Sequence, residues 1–408
     1  MDYVQKYARL IIELGVNIQK GQKLFIRSSV DNASFVELLS EMAWQKGAAD
    51  VWVQWSNERT LKQRFTHGDT SIFGVEKQWQ VEFFNEIVNQ GYQLLTLSSH
   101  DPENLKGIDP LKTRLESSML AEIGKGFTEQ TMSHNVQWNV VALPSIPWAR
   151  KVFPHIVDPY EAVLQLWDIL FKASFIDHND PVENWNNHLH HLNARKKKLQ
   201  DYNFSSLHFT NSWGTDLTIG LPKGHIWTTC HVKAKTGYDF VFNLPTYEVF
   251  TAPHRKAVNG IVYNTKPIFS KGNIIHDFWI KFEDGQVGDY KAEIGHDFLK
   301  EIITQHINGD YLGEVALVPH SSPISNFGFP LYHNLLDENA SCHLALGQGY
   351  TTNLVDSDDL TEAERLTKGL NQCLSHTDFM IGSSCMNITG KTHDGQDVQV
   401  FTNGEWAI

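Results

Sequence analysis

Residues 23–55 read KLFIRSSVDNASFVELLSEMAWQKGAADVWVQW, and this stretch sets the fold class. Lys23-Leu24-Phe25-Ile26-Arg27 is a short apolar run after the Gly21 break and reads as a strand. Asn32 then caps a helix over residues 33–45, which stops at Gly47. Residues 49–55 alternate as the next strand. Strand, helix and strand joined by short links make a βαβ unit, the signature of a parallel sheet.

The pattern continues outward. Residues 3–18 carry Val4, Tyr7, Ala8, Leu10, Ile11 and Leu14 at helical spacing, and residues 92–97 and 138–143 read as further strands. There is no GxGxxG and no phosphate loop, so nothing supports a nucleotide role. Residues 145–149 read as a loop, and 160–171 and 182–199 as helices. The second helix is a polar connector on which His188, His190 and His191 form a solvated face. Beyond it, residues 206–221 alternate around the hairpin signal Trp213-Gly214-Thr215-Asp216, and strands continue through the turn Phe282-Glu283-Asp284-Gly285. Helical patterns recur at 292–306 and 361–370, the latter preceded by Asp356, Asp358 and Asp359, which suit a helix N-terminus. The expected class is α/β: an N-terminal open α/β domain with a mostly parallel sheet over residues 1–195, and a C-terminal mixed α+β domain over 196–408.

Composition narrows the function classes. The chain has 408 residues, 41% of them hydrophobic, enough for two cores. A formal net charge of -13 repels phosphate backbones and anionic headgroups, so neither nucleic acid nor membrane is expected as a partner. The basic cluster at 195–198 falls on the solvated helix and does not argue otherwise. No window approaches the ~20 apolar residues of a spanning helix, and the charged start lacks the apolar core of a signal peptide. Cys230, Cys342, Cys373 and Cys385 show no CxxC pairing and read as buried core thiols of a reducing compartment, which makes a cytoplasmic protein the expectation.

Neither HExxH nor GxSxG is present, so a hydrolase must assemble its site from scattered residues. Four segments after residue 240 offer the material. Glu248 stands in an apolar stretch between Pro245 and Pro253; a carboxylate buried there needs either a metal or a structural counter-charge. Glu314 lies at the mouth of a buried strand over 315–318, where α/β proteins collect ligands, or serves an ion pair. Glu338 is followed by His343, a mix that suits zinc, cobalt or manganese, although a single histidine on an apolar face is also an ordinary core residue. His376 and Asp378 are two apart on an extended segment and share one face, where they reach one ion or bond each other. Four carboxylates and two imidazoles match the needs of a pair of divalent ions when one carboxylate is shared. Residue types thus point to a dinuclear hydrolase and leave its substrate open.

The runs Pro245-Thr246-Tyr247-Glu248-Val249-Phe250-Thr251-Ala252-Pro253 and Leu312-Gly313-Glu314-Val315-Ala316-Leu317-Val318-Pro319 resemble the thermophilic-metalloprotease family of aminopeptidases. So do the block from Asp337 to Gly347 and the strand His376-Thr377-Asp378-Phe379-Met380-Ile381-Gly382-Ser383, in the same order and with the resemblance covering the whole chain. The resemblance implies a two-domain α/β exopeptidase with a cocatalytic pair of zinc, cobalt or magnesium ions in the C-terminal domain; manganese accepts the same ligands. It places metal ligands on Glu248, Glu314, Glu338, His343, His376 and Asp378, with Glu338 as bridging ligand, general base or both. It places a tyrosine near the metals at Tyr350, for transition-state stabilisation or support of a ligand. It further implies homodimers whose active sites face an internal cavity, restricting substrates to short peptides with a free N-terminus. The family usually has Glu-Glu where this chain has Tyr247-Glu248; the second position is the ligand, so the substitution bears on rate or preference.

The expected function is therefore a metal-dependent aminopeptidase in which a water bridging two metals attacks the N-terminal peptide bond. A different two-metal hydrolase, an amidohydrolase or phosphoesterase, fits the ligand types alone, but no Arg/Lys-rich clamp accompanies these segments. A binding module with a structural metal fits less well, because structural zinc sites are closed and rich in Cys or His, and this set is rich in carboxylate.

Overall fold

The computed structural model describes residues 2–177, 179–270 and 273–408. The chain forms two compact units. The first runs to Asn187 and takes back His231–Pro245; the second comprises His188–Cys230 and Thr246–Ile408.

The first unit is built on strands Lys23–Ser29 (β1), Asp50–Ser56 (β2), Gln93–Ser98 (β3) and Trp138–Ala142 (β4). With the two-residue strand Asn243–Leu244 they form one sheet in the order Asn243–Leu244, β4, β3, β1, β2, parallel throughout. β1 lies inside that order, which is why Leu24, Phe25 and Ile26 form an unbroken apolar run and are all fully buried. The crossover helix Ala33–Gln45 buries Phe35, Val36, Leu39 and Ala43, one stripe at helical spacing. Its start differs from the expectation. A short turn, Val30–Asn32, precedes it, and the Ser29 hydroxyl, not the Asn32 amide, accepts from the backbone of Asp31. The stretch read as a loop at 145–149 opens a helix, Ile146–Val152, because Ser145 caps the Trp148 N–H and Pro147 sits in the first turn, where its missing N–H costs nothing.

The second unit holds two antiparallel sheets. The larger has nine strands, including Phe204–Thr210, Asp216–Gly220 and the hairpin Asn273–Glu283 and Gln286–Ile294. Gly285 turns that hairpin at φ 87°, and a Cβ there would lie 1.7 Å from the Arg255 carbonyl oxygen, so no other residue fits. Residues 292–294, read as helix, are the end of this hairpin, and the helix is His296–Thr304. The helix at Glu362–Thr367 carries a capping box made by Thr361 and Glu364, so the three aspartates before it are not its caps.

The smaller sheet comprises Thr228–Thr229 (β5), Val249–Thr251 (β6), Leu312–Leu317 (β7), His343–Gly347 (β8) and His376–Met380 (β9), in the order β9, β8, β7, β6, β5. Its Val315, Leu317, Leu344, Leu346 and Phe379 alternate with residues of the opposite face and are buried. Among the described residues no helix is long and apolar enough to cross a membrane. The four cysteines are free; Cys230 and Cys342 are buried as expected, whereas Cys373 and Cys385 are only half-buried.

Candidate metal centre

The smaller sheet aligns its polar residues by register. Glu314 on β7 stands opposite Ala345 on β8, which stands opposite Asp378 on β9. One pair along, Ala316 faces His343, and Gly347 faces His376. Strand side chains alternate, so His343, Ala345 and Gly347 share a face, as do His376 and Asp378. The acids and imidazoles are thus separated by alanines and a glycine, which leave room between them. The same alternation carries Phe250 of β6, paired with Ala316, to this face, and Glu248 lies two residues before it. Glu314 sits inside β7 rather than at its mouth, after an irregularity at Gly313 where a Cβ would meet the Gln348 carbonyl oxygen at 2.3 Å.

The side chains converge. His343 Nε2 lies 3.1 Å from Glu248 Oε2 and 3.5 Å from Glu314 Oε1, while His376 Nε2 lies 3.7 Å from Glu314 Oε2 and 3.2 Å from Asp378 Oδ1. Glu314 therefore turns one oxygen to each imidazole. Two ligand groups result, Glu248–Glu314–His343 and Glu314–His376–Asp378, each with its ligand atoms within 4.8 Å of one another. The first is buried, with Glu248 and Glu314 at 4% and His343 at 1% exposure; the second opens toward solvent. The Nδ1 atoms face carbonyls, of Ser341 at 3.2 Å for His343 and of Gln348 at 2.7 Å for His376, which leaves each Nε2 for an ion.

Glu338, half-buried, stands outside both groups but belongs to the same electrostatic unit: burial, then Asp378 and Glu248, drive its pKa well up. Glu314 is raised too, chiefly by burial. Burial works against charge on His343, yet its bonds to Glu248 and Glu314 hold its pKa well above the usual imidazole range. His376 is likewise raised to about 10, by Asp378 and Glu314 against burial. Asp378 moves the other way, since His376 outweighs burial and lowers it. Tyr350 packs its ring on Phe250 at 5.5 Å and on His376 at 5.7 Å, and burial followed by the surrounding carboxylates keeps its phenol protonated. Four carboxylates against two imidazoles leave a negative excess inside protein. Such an excess calls for cations, and hard oxygen donors mixed with imidazole nitrogens fit zinc, cobalt, manganese or magnesium.

A family model described as thermophilic metalloprotease (M29) matches residues 2–406. The chain belongs to the M29 family. It is 39% identical to aminopeptidase AmpS of Bacillus subtilis over 402 residues, 98% of each chain, and 33% identical to aminopeptidase T of Thermus aquaticus over 405 residues, covering 99% of this chain and 98% of that one. The solved structure of wild-type AmpT from Thermus thermophilus superposes with a TM-score of 0.91 at 32% identity, covering all of this chain and 99% of that one. This M29 chain is accordingly a metalloaminopeptidase, a hydrolase on an α/β fold that combines a parallel sheet with antiparallel sheets.

Two features of the M29 site escaped the sequence reading. His188 is not on a solvated face: it is half-buried, its Nε2 lies 2.8 Å from the Thr246 carbonyl oxygen, and its ring meets Tyr247 edge-on at 5.1 Å. Burial holds its pKa down to about 4, so the ring is neutral and donates to Thr246. The carbonyls of Ser341 and Gln348 that orient the imidazoles leave no sequence signal, because any residue supplies one.

Proposed function

We propose that this metalloaminopeptidase releases the N-terminal residue of short peptides, with Glu248, Glu314 and His343 holding one divalent ion and Glu314, His376 and Asp378 the other. The observation that carries the reading is Glu314, whose two oxygens face two imidazoles in two ligand groups that share no other member. Divalent ions held by these residues (zinc, cobalt, magnesium or manganese) would supply a water of lowered pKa and a Lewis acid for the scissile carbonyl.

The chain's own residues do the rest. Ser341 and Gln348 fix the imidazole orientation from behind. Glu338, which borders both ligand groups and belongs to neither, receives the proton of the attacking water and delivers it to the leaving amine. Tyr350, a permanent donor, hydrogen-bonds the oxyanion of the tetrahedral intermediate. The chain works as a homodimer, as the resemblance implies, and in the reducing cytoplasm, which its free cysteines suit.

The deciding assay is amino-acid release from free and N-acetylated dipeptides and tripeptides. It is run on protein as purified, after chelation, and after re-addition of each metal, with light scattering for the oligomer. Stepwise release from free N-termini alone, lost on chelation and restored by metal, is the expected result. Folded protein that releases nothing under any metal sinks the reading.

A further inference from the structure

Glu314, His343, His376 and Asp378 are held by strand ladders, but Glu248 precedes β6 and Glu338 follows the short helix Asn334–Asp337. Ladder bonds do not fix the spacing of these last two. One side chain does link their segments. Asn339 is fully buried, and its Oδ1 accepts from the backbone N–H of Tyr247 at 2.7 Å. Its Nδ2 donates to the Leu335 carbonyl at 2.9 Å and to Glu338 Oε1 at 3.4 Å. The Tyr247 bond joins positions 92 residues apart, and Tyr247 is the neighbour of Glu248. Only a primary amide of this length offers an acceptor and two donors at once. An aspartate keeps the acceptor, loses both donors and sets a charge beside Glu338; an alanine keeps none of them.

We infer that Asn339 is a positioning residue of the metal centre, fixing Glu248 against Glu338 and acting through them without touching substrate. The inference rests on the metal-site reading above, and its test separates the two. The probe is Co2+ titrated into the metal-free full-length chain, followed by kcat and KM on an unblocked dipeptide. Asn339→Ala is expected to weaken Co2+ at one site about 10- to 100-fold and to lower kcat by a similar factor at saturating metal, with KM nearly unchanged. Asn339→Asp is expected to lower both as well, since the donors are gone.

Ser322→Ala supplies the structural reference. The Ser322 hydroxyl donates to the Asn339 carbonyl at 2.9 Å, so its loss removes a buried bond at the same residue but not the clamp. It is expected to lower Tm while leaving Co2+ affinity and kcat within about twofold. Wild-type Co2+ affinity and kcat in Asn339→Ala, or in Asn339→Asp where the alanine variant does not fold, overturns the inference. So does an equal loss in Ser322→Ala, which marks a general packing effect. A wild-type chain that binds Co2+ but releases no amino acid defeats the aminopeptidase reading alone, because the Co2+ affinities still decide the role of Asn339; one that binds no Co2+ defeats both.

Discussion

In the parallel sheet β1 buries Leu24, Phe25 and Ile26 completely, while in the smaller antiparallel sheet β7 and β8 bury Glu314 and His343 to 4% and 1% exposure. Burial is equally deep and does opposite things. Each apolar side chain removed from water in β1 contributes about 1.5–3 kcal/mol, and nothing further is required of its surroundings. A carboxylate in the same position costs several kcal/mol unless a counter-charge and hydrogen bonds offset it. Two imidazoles face Glu248, Glu314, Glu338 and Asp378, so the second region must hold protons or cations among its carboxyl groups, and the first is complete as it stands.

The largest expected effect breaks that difference at its centre. Glu314→Gln keeps shape and volume but removes the charge shared by both ligand groups. Metal content is expected to fall below two ions per chain and kcat by at least about a thousandfold, because groups acting as a unit fail together. Elemental analysis and dipeptide hydrolysis check both. Two tightly bound ions with activity within tenfold of wild type would remove Glu314 from the bridging position. Hydrogen-exchange protection of β1 should not change.

A smaller effect sharpens the second region into ligands and helpers. Tyr350 touches His376 and Phe250 but belongs to neither ligand group. Tyr350→Phe is expected to lower kcat about a hundredfold, with metal content and KM nearly unchanged, since one donor to an oxyanion is worth about that much. A loss of metal instead would make the phenol a supporting ligand.

The two regions were also unequally legible. Residues 23–55 showed strand, helix and strand because a buried parallel strand and an amphipathic helix write their burial into the residue pattern. For the site, His376 and Asp378 could be placed together from a period of two, but Glu314 and His343 lie on two other strands and Glu248 just before a third, and no local pattern encodes their register. The resemblance named all six residues as one ligand set where residue chemistry left alternatives open, and only the folded chain divides them into two groups with Glu338 outside both. Local chemistry was overlooked at Ser145, whose cap makes a helix of a supposed loop, and at His188, whose partner Thr246 lies 58 positions away. A polar helix face can hide a buried residue whenever another segment returns to cover it.

The smallest effect concerns the metal-free chain, where the two regions should part as pH rises. His376 has its folded pKa raised from 6.5 to about 10, so its contribution to stability is fully present below pH 6.5 and is lost as pH climbs toward 10. His343, Glu314 and Glu338, also raised, act in the same direction; Asp378, lowered, changes stability only in acid. Between pH 6.5 and 10 the metal-free site should therefore lose a few kcal/mol. Bound metal inverts the slope, because binding must displace the imidazole protons and tightens by up to about tenfold per pH unit for each proton released. Hydrogen exchange, corrected for the intrinsic pH dependence of amide rates, can follow both regions in one sample. Amides of β7 and β8 are expected to lose protection with rising pH after chelation and to keep it with metal, while those of β1 stay level in both. Equal behaviour of β1 and β7 would mean that the buried charges are not what distinguishes the two sheets. A falling β7 curve that metal does not rescue would mean that the charges are there but the cations that complete them bind elsewhere.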